Sequence, residues 1–362
     1  MKISILLRCS RTAVLMAALA LARDAVMAAS TQDLQSWDSL MLNSSKALKA
    51  NRLEEAIGNC DHALDLARTF GAADTHLSRS QVLRAEIYMW QKRNDLAEQS
   101  FKDAVANCEK AVGASGQEMV YPLASLGNYY FYYDVHLDRV AALNERILGI
   151  VEHAPAPNER DIVMWSRNLA IVYQQMGRND LAERYFDQAV ARAEKSLPDW
   201  LPHELLTAAD FYKVEGKWDQ AVAMALRAVS IREKALAGGD NVDAKMDLVV
   251  ALDEFGAIDQ ARGKLERAEG TFRRSLSLAE TFMKADQADL LPRISNLASV
   301  LAARGNYVEA DALMQRAIAL TKANFAPDGP EVAAVVASRD ALRGSVNKAS
   351  PPDKTAATQA LQ

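Results

Sequence analysis

An all-α solenoid of stacked helix pairs is the fold class this sequence predicts, and three observations predict it. A helical cassette returns seven times at a nearly constant period. Alternating apolar and polar runs of the kind strands need are absent. Only 10 Pro and 16 Gly are present, and many of the prolines sit at cassette junctions (Pro122, Pro198, Pro202, Pro292, Pro327 and Pro330). With 362 residues, 50% hydrophobic and 25% charged, the chain can bury a large core, as a ribbon of nearest-neighbour contacts.

The chain opens on a different kind of sequence. Lys2, Arg8 and Arg11 precede an uncharged apolar run, Thr12 to Ala22, and Val26-Met27-Ala28 offers small residues for cleavage before Ala29. That order is secretory signal grammar, and eleven apolar residues are too few to span a bilayer of roughly 30 Å. Residues 1–28 are therefore expected to be a signal peptide and 29–33 a linker, with the mature protein periplasmic or secreted. Arg23-Asp24 is unusual for a cleavage region, and no Leu-x-x-Cys lipobox comes after the run. Cleavage after Ala22, or retention of the segment as a membrane tether or on a cytoplasmic protein, are the alternatives. Residues 1–28 carry a net +3, so their removal takes the formal charge from −5 to −8. An acidic surface argues against nucleic acid as a partner.

The cassettes occupy residues 34–344. The plainest is Ala170, Tyr173, Gly177, Asn179, Ala182, Phe186, Ala189. The spacing recurs as Ala85, Tyr88, Lys92, Asn94, Ala97, Phe101, Ala104, then from Ala209 to Ala228 and from Ala298 to Ala317. Weaker copies centre on Ala56, Val140 and Ala268. With the small residue early in the second helix as a ruler (56, 97, 140, 182, 221, 268, 310), the gaps are 41, 43, 42, 39, 47 and 42 residues. Each copy reads as helix, turn, helix. Ala and Tyr three apart share a face of the first helix. Gly ends it, because Gly accepts positive φ at a C-terminal cap. The ruler residue lets two helix axes approach, and a bulky Phe or Met one turn later fills the space beyond. A single pair cannot bury its apolar face, so neighbours must stack.

Two copies depart from the pattern. In the third, Leu126-Gly127-Asn128 suggests a register one residue from that of Val140. In the sixth, Gly256 and Gly263 compete for the turn; Gly263 is favoured because it sets Ala268 and Phe272 correctly, leaving seven extra residues in the preceding helix. Fourteen repeat helices are expected, then a capping helix over 331–343 that covers the last stacking face, then a disordered tail over 345–362.

This pattern resembles the tetratricopeptide repeat, most closely its long variant as in kinesin light chains; residues 272–280 and 228–234 look like that family's second helix. The eight residues beyond the common 34 lengthen each helix by about one turn. The resemblance implies first helices lining a concave face and second helices forming the back. Asn168 and Asn296, each two residues before the small residue of a first helix, resemble the Asn that bonds a peptide backbone in long-variant repeats. By the same register Arg79, Glu86, Arg167, Gln174, Asp210 and Lys213 are expected to face the groove.

Tyr129-Tyr130-Phe131-Tyr132-Tyr133 point all round a helix, so some rings must be core and some must show. Tyr129 and Tyr132 are candidate aromatic anchors for a partner. Catalytic and metal signatures fail. The five histidines lack ligand spacing, and His203-Glu204 begins like H-E-x-x-H but has Thr207 where the second ligand belongs. No G-x-S-x-G, phosphate-loop or dinucleotide fingerprint exists, and Ser345-x-x-Lys348 falls in the tail. No catalytic residue, cofactor or metal is expected. Cys60 and Cys108 read as small buried hydrophobes, about 10 Å out of register for a disulfide. The leading reading is a non-enzymatic scaffold for a protein or peptide. The alternative is an assembly factor tethered by an uncleaved N-terminus, which is the only route to a membrane contact.

Overall fold

A computed structural model describes residues 29–348 apart from 72, 135, 240, 285 and 286. The expected signal segment and the tail from 349 onward lie outside the described residues. Fifteen α-helices are described, in the order the sequence predicts. They pair as α1 (Thr31–Lys49) with α2 (Leu53–Ala67), α3 (His76–Trp90) with α4 (Asn94–Val112), and α5 (Val120–Tyr129) with α6 (Leu137–Glu152). Next come α7 (Glu159–Gln175) with α8 (Asn179–Ser196), α9 (Leu201–Val214) with α10 (Trp218–Gly238), and α11 (Val242–Ala261) with α12 (Leu265–Glu280). The last pair is α13 (Leu291–Ala303) with α14 (Tyr307–Asn324), and α15 (Pro330–Lys348) ends the described chain. The fold is an all-α solenoid. It divides into two compact units, one ending at Tyr185 and one beginning at Phe186, both within α8.

One residue sets the register of every pair. Ala56, Ala97, Val140, Ala182, Ala221, Ala268 and Ala310 each occupy the fourth position of a second helix. All seven are 0–3% exposed. Large residues pack one turn beyond them: Phe101, Phe186, Phe272 and Met314 are buried, and Cys60 holds that place in the first repeat. The two cysteines are free and buried. Burial pushes the Cys60 thiol up to about 12 and the Cys108 thiol up to about 11, so neither is a nucleophile at neutral pH.

The turn is as regular as the ruler. Asn51, Lys92, Gly177, Gly216, Gly263 and Gly305 all have positive φ, five residues before the ruler residue. The next residue's N–H reaches five residues back at each one: Arg52 to Ala47, Arg93 to Tyr88, Arg178 to Tyr173, Lys217 to Tyr212, Lys264 to Asp259 and Asn306 to Leu301, all at 2.8–2.9 Å. This is the Schellman closure, which satisfies carbonyls the helix end would strand. The seventh turn position, Val135, lies outside the described residues.

Both irregular repeats resolve. Gly263 is the sixth turn, and Gly256 is the small residue of α11, where a Cβ would sit 2.7 Å from the Phe272 ring. In the third repeat a π-helical turn, Tyr130–Asp134, extends α5. A π-turn inserts one residue into a helix. It explains the one-residue mismatch: Gly127 is buried at the small position while Asn128 is exposed. The capping helix runs to Lys348, so the first residues of the expected tail are helical. Val332 is buried, and Arg339 grips the buried Asp311 with both arms, at 2.6 and 2.9 Å.

Candidate functional site: the first-helix faces

Eight of the ten expected site residues lie on first helices, five in the first unit and three in the second. Arg79 and Glu86 lie on α3, Arg167, Asn168 and Gln174 on α7, Asp210 and Lys213 on α9, and Asn296 on α13. All eight are half-buried. That is what a polar face between stacked first helices gives, because each helix is partly covered by its neighbours.

In the first unit this face mixes charge with aromatic bulk. The Arg79 guanidinium lies 5.1 Å over the Trp37 ring. The Tyr121 hydroxyl on α5 is pushed well above the ordinary tyrosine range, first by burial and then by Glu86, with Arg79 opposing. Tyr173 donates to Glu145 at 2.5 Å, and burial, then that carboxylate, push its hydroxyl up to about 12. Both hydroxyls stay protonated, and that of Tyr173 serves as a donor to Glu145.

In the second unit the face is a ladder of charge between successive first helices. Lys213 Nζ lies 2.7 Å from both Asp210 Oδ1 and Glu254 Oε1, joining α9 to α11. Burial alone would lower the Lys213 pKa, but Glu254 and Asp210 outweigh it and the net shift is upward. Arg293 Nε on α13 lies 2.8 Å from Asp253 Oδ2 on α11, off the line a hydrogen bond needs. Burial raises the Asp253 pKa, and Arg293 only partly reverses it. Gln260 donates to Ser299 at 3.0 Å, again from α11 to α13.

The aromatic run divides. Tyr129 is buried against Phe101, so it is a core residue and not the groove anchor the sequence suggested. Tyr130 is buried too, and its hydroxyl donates to Glu98 at 3.0 Å. Tyr132 and Tyr133 show, at the end of the first helix and not along its face. Glu254, Asp253 and Arg293 were missed by sequence reasoning. The ruler could have found Glu254: it lies fourteen residues before Ala268, as Asn168 does before Ala182 and Asn296 before Ala310. His203 is exposed beside the buried Glu204, at 3.3 Å. Among the described residues no group of three His, Cys, Asp or Glu could hold a metal ion, and no helix is long and apolar enough to cross a membrane.

Family models described as tetratricopeptide repeat match residues 160–234 and 293–331. No curated protein matches the sequence. Among solved structures, a tetratricopeptide repeat protein from Parabacteroides merdae is 14% identical with a TM-score of 0.52, covering 84% of this chain and 99% of that one. A Pyrococcus horikoshii signal-transduction ATPase with a tetratricopeptide repeat sensor is 15% identical with a TM-score of 0.57, covering 77% of this chain but 40% of its own. Aspartyl phosphate phosphatase F of Bacillus subtilis is 15% identical with a TM-score of 0.50, covering 87% of this chain and 84% of that one. At these identities the likeness is one of fold. With the ruler residue, the turn and the period already in place, the matches identify tetratricopeptide repeats at residues 160–234 and 293–331.

Proposed function

We propose that the protein is a non-enzymatic scaffold that holds a protein or peptide segment against its first-helix faces. The observation that carries this reading is the pair Asn168 and Asn296. They occupy the same repeat position, both are half-buried, and neither amide has a hydrogen-bond partner among the described residues. An amide offers a donor and an acceptor in one group, which matches a peptide bond. The neighbouring charges hold one another in place, as Lys213 does with Asp210 and Glu254, and so present a fixed pattern to a ligand. In the first unit Arg79, Glu86, Arg167 and Gln174, and in the second Asp210 and Lys213, would contact the side chains of a ligand on that unit's own face.

Export is a separate proposal, supported by the sequence of residues 1–28 and by the packing of Ala29 and Ser30. Ala29 packs against the Trp37, Ala63, Ala67 and Phe70 cluster, and Ser30 caps α1 by accepting the Asp33 N–H at 3.1 Å. A cut before Ala29 leaves both contacts intact, and sequencing the N-terminus of envelope-localised protein checks it.

The scaffold reading is tested by affinity capture of the mature protein from its cell envelope, followed by titration of the captured partner. Asn168→Ala and Asn296→Ala should each weaken binding by about 0.5–1.5 kcal/mol, the net value of a neutral hydrogen bond. Circular dichroism should be unchanged. A partner that binds both variants as tightly as the parent places its site elsewhere.

A further inference from the structure

Among the described residues of the first unit, five large hydrophobic side chains are exposed: Leu42, Trp90, Leu96, Tyr132 and Tyr133. Four of these five lie at just two consecutive turns, those of the second and third repeats, which makes a patch and not scatter. Trp90 and Tyr133 both stand seven residues before their ruler residues, at the ends of neighbouring first helices. They are 57% and 56% exposed, and Leu96 and Tyr132 are each 38% exposed. The two turns touch. Buried Tyr129 donates its hydroxyl to the Asn94 carbonyl at 3.2 Å, between Trp90 and Leu96, and the Tyr133 ring stacks on Tyr129 with centroids 6.1 Å apart and planes 10° from parallel. One face of Tyr133 is thereby held and the other is open.

We propose that this edge is a second docking surface, distinct from the first-helix faces, and that its occupant is a proline-rich extended segment of a partner protein. The chemistry of the exposed groups selects that occupant. The Trp90 indole N–H and the Tyr132 and Tyr133 hydroxyls have no hydrogen-bond partner among the described residues, so the patch combines flat apolar faces with unspent donors. A proline-rich segment is the complement: its rings stack on aromatic faces, its residues lack N–H groups, and its carbonyls point outward unpaired in the polyproline II form. Such a segment is already extended, so little ordering entropy opposes its capture. The charges at the edge favour no strongly charged occupant, such as an anionic lipid surface. Lys92 and Arg93 are offset by Asp95 and Asp138, and Arg139 already lies on Glu98 at 3.4 Å.

Titration of the full chain with an oligoproline peptide, against a Gly-Ser peptide of equal length, tests the proposal. Saturable binding of oligoproline alone is expected. Trp90→Ala and Tyr133→Ala should each weaken it about tenfold or more, as loss of an aromatic hot spot does. Trp90→Phe, which keeps a ring and removes the donor, should fall between parent and Trp90→Ala. Asn168→Ala should bind like the parent, with unchanged circular dichroism in every variant. The proposal is overturned if the parent ignores oligoproline, if the Gly-Ser peptide binds equally, or if Asn168→Ala is the variant that loses binding. Binding to phosphatidylglycerol vesicles that depends on Trp90, in place of oligoproline binding, would also overturn it.

Discussion

The two units are built on one backbone module and differ in what ties its copies together. Both use the same buried ruler position and the same Schellman turn. In the first unit tyrosine hydroxyls tie successive repeats, Tyr129 to Asn94, Tyr130 to Glu98 and Tyr173 to Glu145, beside ion pairs such as Arg146 with Glu109. In the second the ties are largely ionic. Arg274 reaches Glu233 at 2.6 Å, Arg273 reaches Glu309 at 2.6 Å, and Arg316 reaches Glu280 at 2.5 Å, each one repeat away. Even the Tyr position of the sixth repeat is an acid, Asp259, fully buried and gripped by both arms of Arg267. The module therefore demands a small residue, a left-handed turn and filled volume. It does not specify the chemistry that joins one copy to the next.

The largest effect should come from volume. Phe272→Ala empties the space that Gly256 was kept small to admit, and should cost about 3–5 kcal/mol in a chemical denaturation series. If it melts with the parent, the close approach of α11 and α12 is not a requirement of the module. Next come the turns, where the units should behave alike. Gly177→Ala and Gly305→Ala force a Cβ into φ of 71° and 83° and should each cost about 1–2 kcal/mol. Lys92→Gly, at φ 59°, should stabilise instead. A turn that tolerates Ala in one unit only would show that the module is not shared.

Smaller effects should separate the two kinds of tie. Glu98 accepts from Tyr130 and lies 2.6 Å from Lys102, and the hydrogen bond from Lys102 is the main reason its pKa is lowered. A carboxyl whose folded pKa lies below its unfolded value contributes stability above the unfolded value, near 4.3 for Glu, and loses it as pH falls through the folded one. Glu98→Gln should therefore cost about 0.5–1.5 kcal/mol at neutral pH. It should also flatten the acid limb of the stability profile, which an unchanged limb would refute. Glu309→Gln should cost less, under about 1 kcal/mol, because its pair with Arg273 is well exposed, and the cost should vanish in high salt. A salt-insensitive loss there would mean the ionic ties of the second unit are not screened surface pairs.

Much of this was legible in the sequence because it depends on period and residue size. The ruler, the four glycine turns and the choice of Gly263 over Gly256 all come from spacing. The turns at Asn51 and Lys92 carry no glycine, so only their distance from the ruler marks them. The third repeat showed a one-residue mismatch, but nothing in its letters says that a π-turn absorbs it. Which of Tyr129 to Tyr133 would show depended on that same turn and on Phe101 and Asn94, about thirty residues away. The charged ladder was hidden for a similar reason: Lys213 meets Glu254 and Arg293 meets Asp253 across a whole repeat, where sequence proximity gives no hint. Asn168 and Asn296 were legible because they repeat at one position.

A fixed interior carries a free face, and one repeat can test both halves at once. Ala182 and Asn168 lie fourteen residues apart in the fourth repeat, one fully buried and one half-buried without a hydrogen-bond partner among the described residues. Calorimetric melts of Ala182→Leu and Asn168→Ala should differ sharply. Overpacking at Ala182 should cost about 1–3 kcal/mol. Asn168→Ala should melt with the parent, since it removes no contact the fold uses. An Ala182→Leu chain as stable as the parent would mean that the interior is not fixed, and an Asn168→Ala chain that loses stability like an interior variant would mean that the face is not free.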